Sequence, residues 1–198
     1  MRSPVLIFLA LTLYGLLHSL LAANAAKRGA HRLLGRMVVA RLYRLTYTLF
    51  AVLSFLPVLY LMWILPDAPL YHIPETWVWV CYTLQLAGLA LGAWSLAVTD
   101  VSAFIGLRQL MATAPERDVE RLTVDGPYAW VRHPMYTGTL LFLWGAPAMT
   151  VNRLAFVLGI TLYFIIGGYF EERKLLTQFG EDYAAYRRRT PMLLPRFW

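Results

Sequence analysis

Long uninterrupted blocks of apolar residues constrain this chain more than any other feature. They occupy residues 4–23, 43–65, 76–99, 134–150 and 154–170. About twenty such residues in a helix cross the hydrocarbon of a bilayer, because each residue adds roughly 1.5 Å toward about 30 Å. Charged residues make up only 15% of the 198, against about 25% in soluble domains. The sequence therefore predicts an all-α integral membrane bundle of about five transmembrane helices with amphipathic surface helices. At this length one domain, 1–198, is expected, with three spans in 1–99 and a helical hairpin at 134–170 in the second half, 100–198.

The connections support that division. The first block resembles a signal peptide, since Arg2 precedes it and Ala23-Asn24-Ala25 looks like a cleavage site. Lys27, Arg28, Arg32 and Arg36 follow at once, and a basic flank resists translocation, so a retained span is expected. Over residues 29–44 Arg32 and Arg36 continue a four-residue repeat from Arg28 on one helical face, with Leu33, Leu34, Met37, Val38 and Leu42 on another, as in a helix lying on a membrane surface. Pro57 inside the second span is compatible with insertion. A proline-rich loop, 66–74, leads to the third span, whose start carries Trp77, Trp79 and Tyr82, the composition of an interfacial aromatic belt. The longest polar stretch, 100–132, includes Pro115-Glu116-Arg117-Asp118. Beyond the hairpin, 171–189 is expected to be a charged amphipathic helix, followed by an extended tail with Pro191 and Pro195.

Lys and Arg alternate by connection. Residues 24–44 hold six, 100–133 four and 171–198 six, whereas 66–75 hold none. The positive-inside rule then places the basic segments in the cytoplasm and the N-terminus and 66–75 outside. The net charge of +7 accordingly reads as attraction to anionic lipid, and a nucleic-acid partner is not expected. A single cysteine, Cys81, excludes an intrachain disulfide and a cysteine metal cluster. His18, His31, His72 and His133 fall on different sides of the membrane without ligand spacing, so no metal site is expected.

Two clusters carry chemistry. Arg132-His133 stands immediately before Pro134, which suits the first turn of a helix; a helix N-terminus with two such side chains is a ready anion site, or else a plain headgroup anchor. Glu171-Glu172-Arg173-Lys174 closes the last apolar block. A carboxylate at mid-bilayer costs roughly 2.5–3.5 kcal/mol and needs a partner. Glu172, Leu176, Phe179, Tyr183 and Tyr186 share one helical stripe, so Glu172 is expected to face inward, while Glu171 and Lys174 can form a solvated pair worth little. Both clusters fall at the same end of adjacent hairpin helices, so a cation and an imidazole face a carboxylate.

The run Gly126-Pro127-Tyr128 through Arg132-His133-Pro134-Met135-Tyr136-Thr137-Gly138 resembles the G-x-Y-x-x-x-R-H-P-x-Y-x-G signature of the isoprenylcysteine carboxyl methyltransferase superfamily. Glu171-Glu172, Phe179-Gly180, Tyr183, Tyr186, Arg189 and Pro195 match its ending. His18-Ser19 and the closing Thr190-Pro191-Met192-Leu193-Leu194-Pro195 are similar to a bacterial branch that includes methanethiol S-methyltransferases and NnrU-like proteins.

The resemblance implies an S-adenosylmethionine pocket without a Rossmann fold. Arg132, His133 and Tyr136 would contact the methionine end, Arg132 as its carboxylate partner. Glu171 or Glu172 would bind amino or hydroxyl groups. Leu122, Val124 and Tyr128 would line the adenosine, and Gly126, Pro134 and Gly138 of the motif would also bind the cofactor. Glu172 and Arg189 are the catalytic candidates, Arg189 toward the acceptor; Arg187 and Arg188 read as lipid-facing.

The implied activity is methylation of a small or hydrophobic thiol, with a prenylated cysteine carboxylate or a lipid as the alternative acceptor. The implied place is a bacterial inner membrane with the site facing the cytoplasm. A scaffold that keeps the fold without turnover is the non-enzymatic alternative.

Overall fold

The computed structural model describes residues 2–111 and 121–195; the Pro115–Asp118 part of the polar stretch lies outside them. Four described helices are long and apolar enough to cross a membrane: α1 (Arg2–Ala22), α3 (Arg36–Ile64), α4 (Glu75–Val98) and α8 (Val151–Phe179). The short helices are α2 (Asn24–Leu34), α5 (Val101–Ile105), α6 (Leu107–Met111), α7 (Pro134–Trp144) and α9 (Glu181–Arg189). The all-α membrane bundle is what the apolar blocks require. Lipid cannot satisfy backbone N–H and C=O groups, and a helix satisfies its own.

The fourth apolar block, 134–150, folds differently from expectation. Instead of one helix over 134–150, α7 has 11 residues, about 16 Å of rise and half the hydrocarbon depth. Gly145-Ala146-Pro147 ends it, and β2 (Ala148–Thr150) continues, paired antiparallel with β1 (Pro69–His72). Non-helical backbone at membrane depth needs protein cover and partners. Gly145, Ala146 and Met149 are buried, Ile73 N–H donates to Pro147 O at 2.8 Å and Val151 N–H to Ala68 O at 2.9 Å. The 134–150 block is therefore a half-helix completed by extended chain.

Two amphipathic boundaries also shift. The helix expected over 29–44 is divided at Gly35, whose φ of +81° suits glycine, so its second part is the first turns of α3. At the other end α8 runs on through Glu171 and Glu172 to Phe179, 29 residues or about 43 Å, more than the bilayer core demands. The chain turns at Gly180, φ +55°, into α9.

The core lies where α1, α3 and α8 meet, around Ile7, Leu11, Val58, Phe156, Val157 and Ile160. α4 packs on α7 through glycines: a Cβ added at Gly138 would stand 2.5 Å from Gly88 O, and one at Gly88 2.5 Å from Gly138 O. Small residues let membrane helices approach until backbones touch, which matters where lipid removes the hydrophobic drive to associate. Large apolar side chains instead cover the outside, and Trp63, Trp77 and Trp79 stand exposed at the end of the bundle shared by the β1–β2 pair.

Candidate active site

At the opposite end, the chain from 121 approaches α7 through a 3-10 turn at Gly126–Ala129. Leu122, Val124 and Tyr128 are half-buried along it. Gly126 has φ +61° and lies under Trp94 and Val98 of α4, where a Cβ would come within 3.4 Å of Val98. His133 follows as the residue capping α7, and Pro134 takes the first helical position, where its missing N–H costs nothing.

The two clusters meet as the sequence implied. Glu172 is 4% exposed. One of its oxygens accepts from Arg132 Nε at 2.7 Å and Nη2 at 2.6 Å, and lies 3.3 Å from His133 Nε2. Its other oxygen lies 3.2 Å from Arg187 Nε. A carboxylate this deep is tolerable because it is paired and bonded on both oxygens. Glu171, one residue earlier, is half-exposed. Its carboxylate accepts from Tyr136 Oη at 2.9 Å and lies 3.5 Å from His133 Nδ1. His133 thus bridges both glutamates, and Glu171 turns to Tyr136 instead of pairing with Lys174. Tyr136 is sandwiched between His133 and Phe164, with centroids 5.0 and 4.3 Å away and planes within 8°.

The tail forms part of the same construction. Arg132 N–H donates to Pro191 O at 2.9 Å, His133 N–H to Met192 O at 3.1 Å, and Thr137 Oγ1 to Leu193 O at 2.8 Å. The Arg132 guanidinium also donates to Thr190 O and, at 3.2 Å, to Arg187 O. Residues 190–193 are therefore strapped across the entry to α7. In α9, Tyr183 and Tyr186 are buried, and Tyr186 Oη donates to Tyr128 O at 2.6 Å. Burial, then the charge of Glu172, push the Tyr183 phenol up to about 12 against the pull of Arg132. Burial first, then Glu171, raises Tyr128. These phenols stay neutral at physiological pH.

Some expected site residues stand elsewhere. Arg189 is exposed and lies over the Tyr186 ring at 5.8 Å, so Arg187, read as lipid-facing, is the α9 cation that reaches Glu172. Arg188 pairs with Glu181 at the surface. Gly138 points its missing side chain at α4, so helix packing accounts for that glycine. Arg132, expected to await a ligand carboxylate, closes its fork on Glu172 and the tail. Among the described residues no group of three His, Cys, Asp or Glu could hold a metal.

The sequence model of the family described as phospholipid methyltransferase matches residues 84–182, from α4 through the glutamate pair into α9. The chain belongs to that family. It is an integral membrane methyltransferase.

Among curated relatives, methanethiol S-methyltransferase 2 of Bradyrhizobium diazoefficiens is 32% identical over 192 residues, 96% of this chain and 72% of the relative. Methanethiol S-methyltransferase of Pseudomonas deceptionensis is 33% identical, covering 94% and 71%. A protein-S-isoprenylcysteine O-methyltransferase of Schizosaccharomyces pombe is 31% identical over 59% of this chain and 50% of its own length. No solved structure matches this chain.

Proposed function

We propose that this methyltransferase uses S-adenosylmethionine to methylate the sulfur of a small or hydrophobic thiol, working at the cytoplasmic face of a bacterial inner membrane. One observation carries the acceptor reading. Similarity to proteins named for methanethiol spans 94–96% of the chain, including α1 to α3, while the match to the yeast isoprenylcysteine enzyme covers 59%.

The residues present suit this donor chemically. Glu171 offers a half-exposed carboxylate to amino or hydroxyl groups. Arg187, 46% exposed, is the cation free enough to meet a ligand carboxylate. Arg132 and Glu172 act as the buried frame that holds His133, Arg187 and the tail in register. Leu122, Val124, Gly126 and Tyr128 lie on the approach that would border the adenosine. The donor supplies an electrophilic methyl group; the protein aligns the acceptor with it, and such alignment is worth about 7–11 kcal/mol of a bimolecular barrier. A thiolate needs little further activation beyond a nearby positive charge.

Two results are expected. A reporter fused after Trp198 should read cytoplasmic and one inserted in 66–75 external; the reverse would put the site on the wrong side for a cytosolic donor. Purified protein given labelled donor should transfer the methyl to methanethiol or a longer alkyl thiol in preference to a prenylcysteine analogue. Transfer confined to the prenylcysteine carboxylate would overturn the acceptor, and donor binding without transfer to any acceptor would favour a scaffold.

A further inference from the structure

A second polar cluster lies between α1, α3 and α8, apart from the glutamate pair. His18 Nε2 is 2.6 Å from Tyr47 Oη. Around the imidazole stand Tyr47 at 5.0 Å, Tyr14 at 5.6 Å and Tyr163 at 6.1 Å between ring centroids, the last edge-on. Ser19 lies beside the Tyr163 hydroxyl. Gly15 lets the Tyr163 ring pack close against α1, since a Cβ there would come 2.9 Å from that ring. The other imidazole nitrogen, Nδ1, is buried with no hydrogen-bond partner among the described residues. A buried polar atom without a partner is costly, so it invites a ligand that completes it.

The cluster is continuous with the methyl-donor end. Tyr163 touches Phe164 with centroids 6.2 Å apart, Phe164 stacks on Tyr136, and Tyr136 on His133. The two groups therefore flank one region near the end of the bundle that carries the tail.

We propose that His18, Tyr14, Tyr47 and Tyr163 form the binding site for the acceptor thiol, with Nδ1 of His18 holding its sulfur. The inference rests on the thiol-methylating reading and adds where the thiol sits. The chemistry is matched in both protonation states. If Tyr47 accepts from Nε2–H, the Nδ1 lone pair accepts the S–H; if Tyr47 donates to Nε2, Nδ1–H donates to a thiolate. Aromatic edges suit a polarizable sulfur, which prefers rings about 5 Å away. A prenyl chain has no use for a lone imidazole nitrogen.

The test separates the two nitrogens. A glutamine amide reaches the Nε2 position and keeps a partner for Tyr47, whereas an asparagine amide reaches the Nδ1 position. In detergent-solubilised full-length protein without donor, titration with ethanethiol should shift one ¹⁵N-histidine resonance, the one missing from His18→Gln. With donor, His18→Gln should raise the thiol KM about three- to tenfold, the loss of one hydrogen bond, at unchanged donor affinity; His18→Asn should recover part of it.

A thiol-induced histidine shift that persists in His18→Gln, or an unchanged KM, would overturn the site while leaving thiol methylation intact. Loss of donor binding along with the thiol effect would mark a structural role and overturn it as well. Wild-type protein that binds donor but methylates no thiol would remove the reading beneath it.

Discussion

Glu172→Ala is expected to abolish methyl transfer and donor binding and to destabilise the fold by about 3–5 kcal/mol, the penalty for leaving a buried charge without its partner. Arg132 has a side chain only 9% exposed, and Glu172 is its carboxylate. Removing that carboxylate strands the guanidinium and also releases Arg187 and His133. Thermal unfolding in detergent and donor binding by calorimetry measure the two effects.

Arg132→Lys should recover little, because a single ammonium cannot reproduce the Nε and Nη2 contacts on Glu172 together with the bond to Thr190 O. A double replacement, Arg132→Met with Glu172→Met, removes both charges in similar volume. Such swaps are often neutral or stabilising, so its melting temperature should return close to wild type while donor binding stays lost. That split separates the frame's contribution to folding from its contribution to the site. Wild-type stability and donor affinity in Glu172→Ala would overturn the role given to the pair.

How far this site was legible depends on the kind of signal each part leaves. The inward stripe from Glu172 through Tyr186 is readable because helical spacing and the cost of a carboxylate near hydrocarbon point the same way. Arg132 and His133 are readable because Pro134 fixes the start of a helix. The pairing of Arg132 with Glu172 across forty positions was implied only through the hairpin. The carbonyls of Thr190, Pro191 and Met192 left no signal, since every residue carries one and only tertiary structure selects which are used.

The same limit explains Arg187 and Arg189. Two positions on a helix face nearly opposite ways, and without knowing how α9 sits on α8 a run of three arginines does not say which one turns inward. The half-helix α7 shows a different limit. A continuous apolar run is equally consistent with buried helix and buried strand, and the readable hint was Gly145 followed by Pro147. The breaks at Gly35 and Gly180 are of that kind too: each is a glycine inside an amphipathic pattern whose positive φ ends one helix and aims the next.

Gly138→Ala and Gly88→Ala are each expected to destabilise strongly, by about 1–3 kcal/mol or more for overpacking. The upper end applies because the clash is with backbone that cannot rotate away. Each added Cβ would sit 2.5 Å from the other glycine's carbonyl oxygen, closer than carbon and oxygen pack, so α4 and α7 must separate. Since His133 caps α7, that separation would draw His133 and Arg132 off Glu172, and methyl transfer should fall with stability. Gly167→Ala is the control: a Cβ there meets nothing within 4 Å, and replacing glycine within a helix should leave stability unchanged or raise it slightly. The comparison also decides what Gly138 does within its motif. A glycine needed for close approach of the donor would lose donor affinity on becoming alanine while keeping its melting temperature, and Gly88→Ala would be benign. Matched losses of melting temperature in Gly138→Ala and Gly88→Ala would show that the glycine serves the helix crossing, and that the crossing sets where the site's histidine and arginine stand.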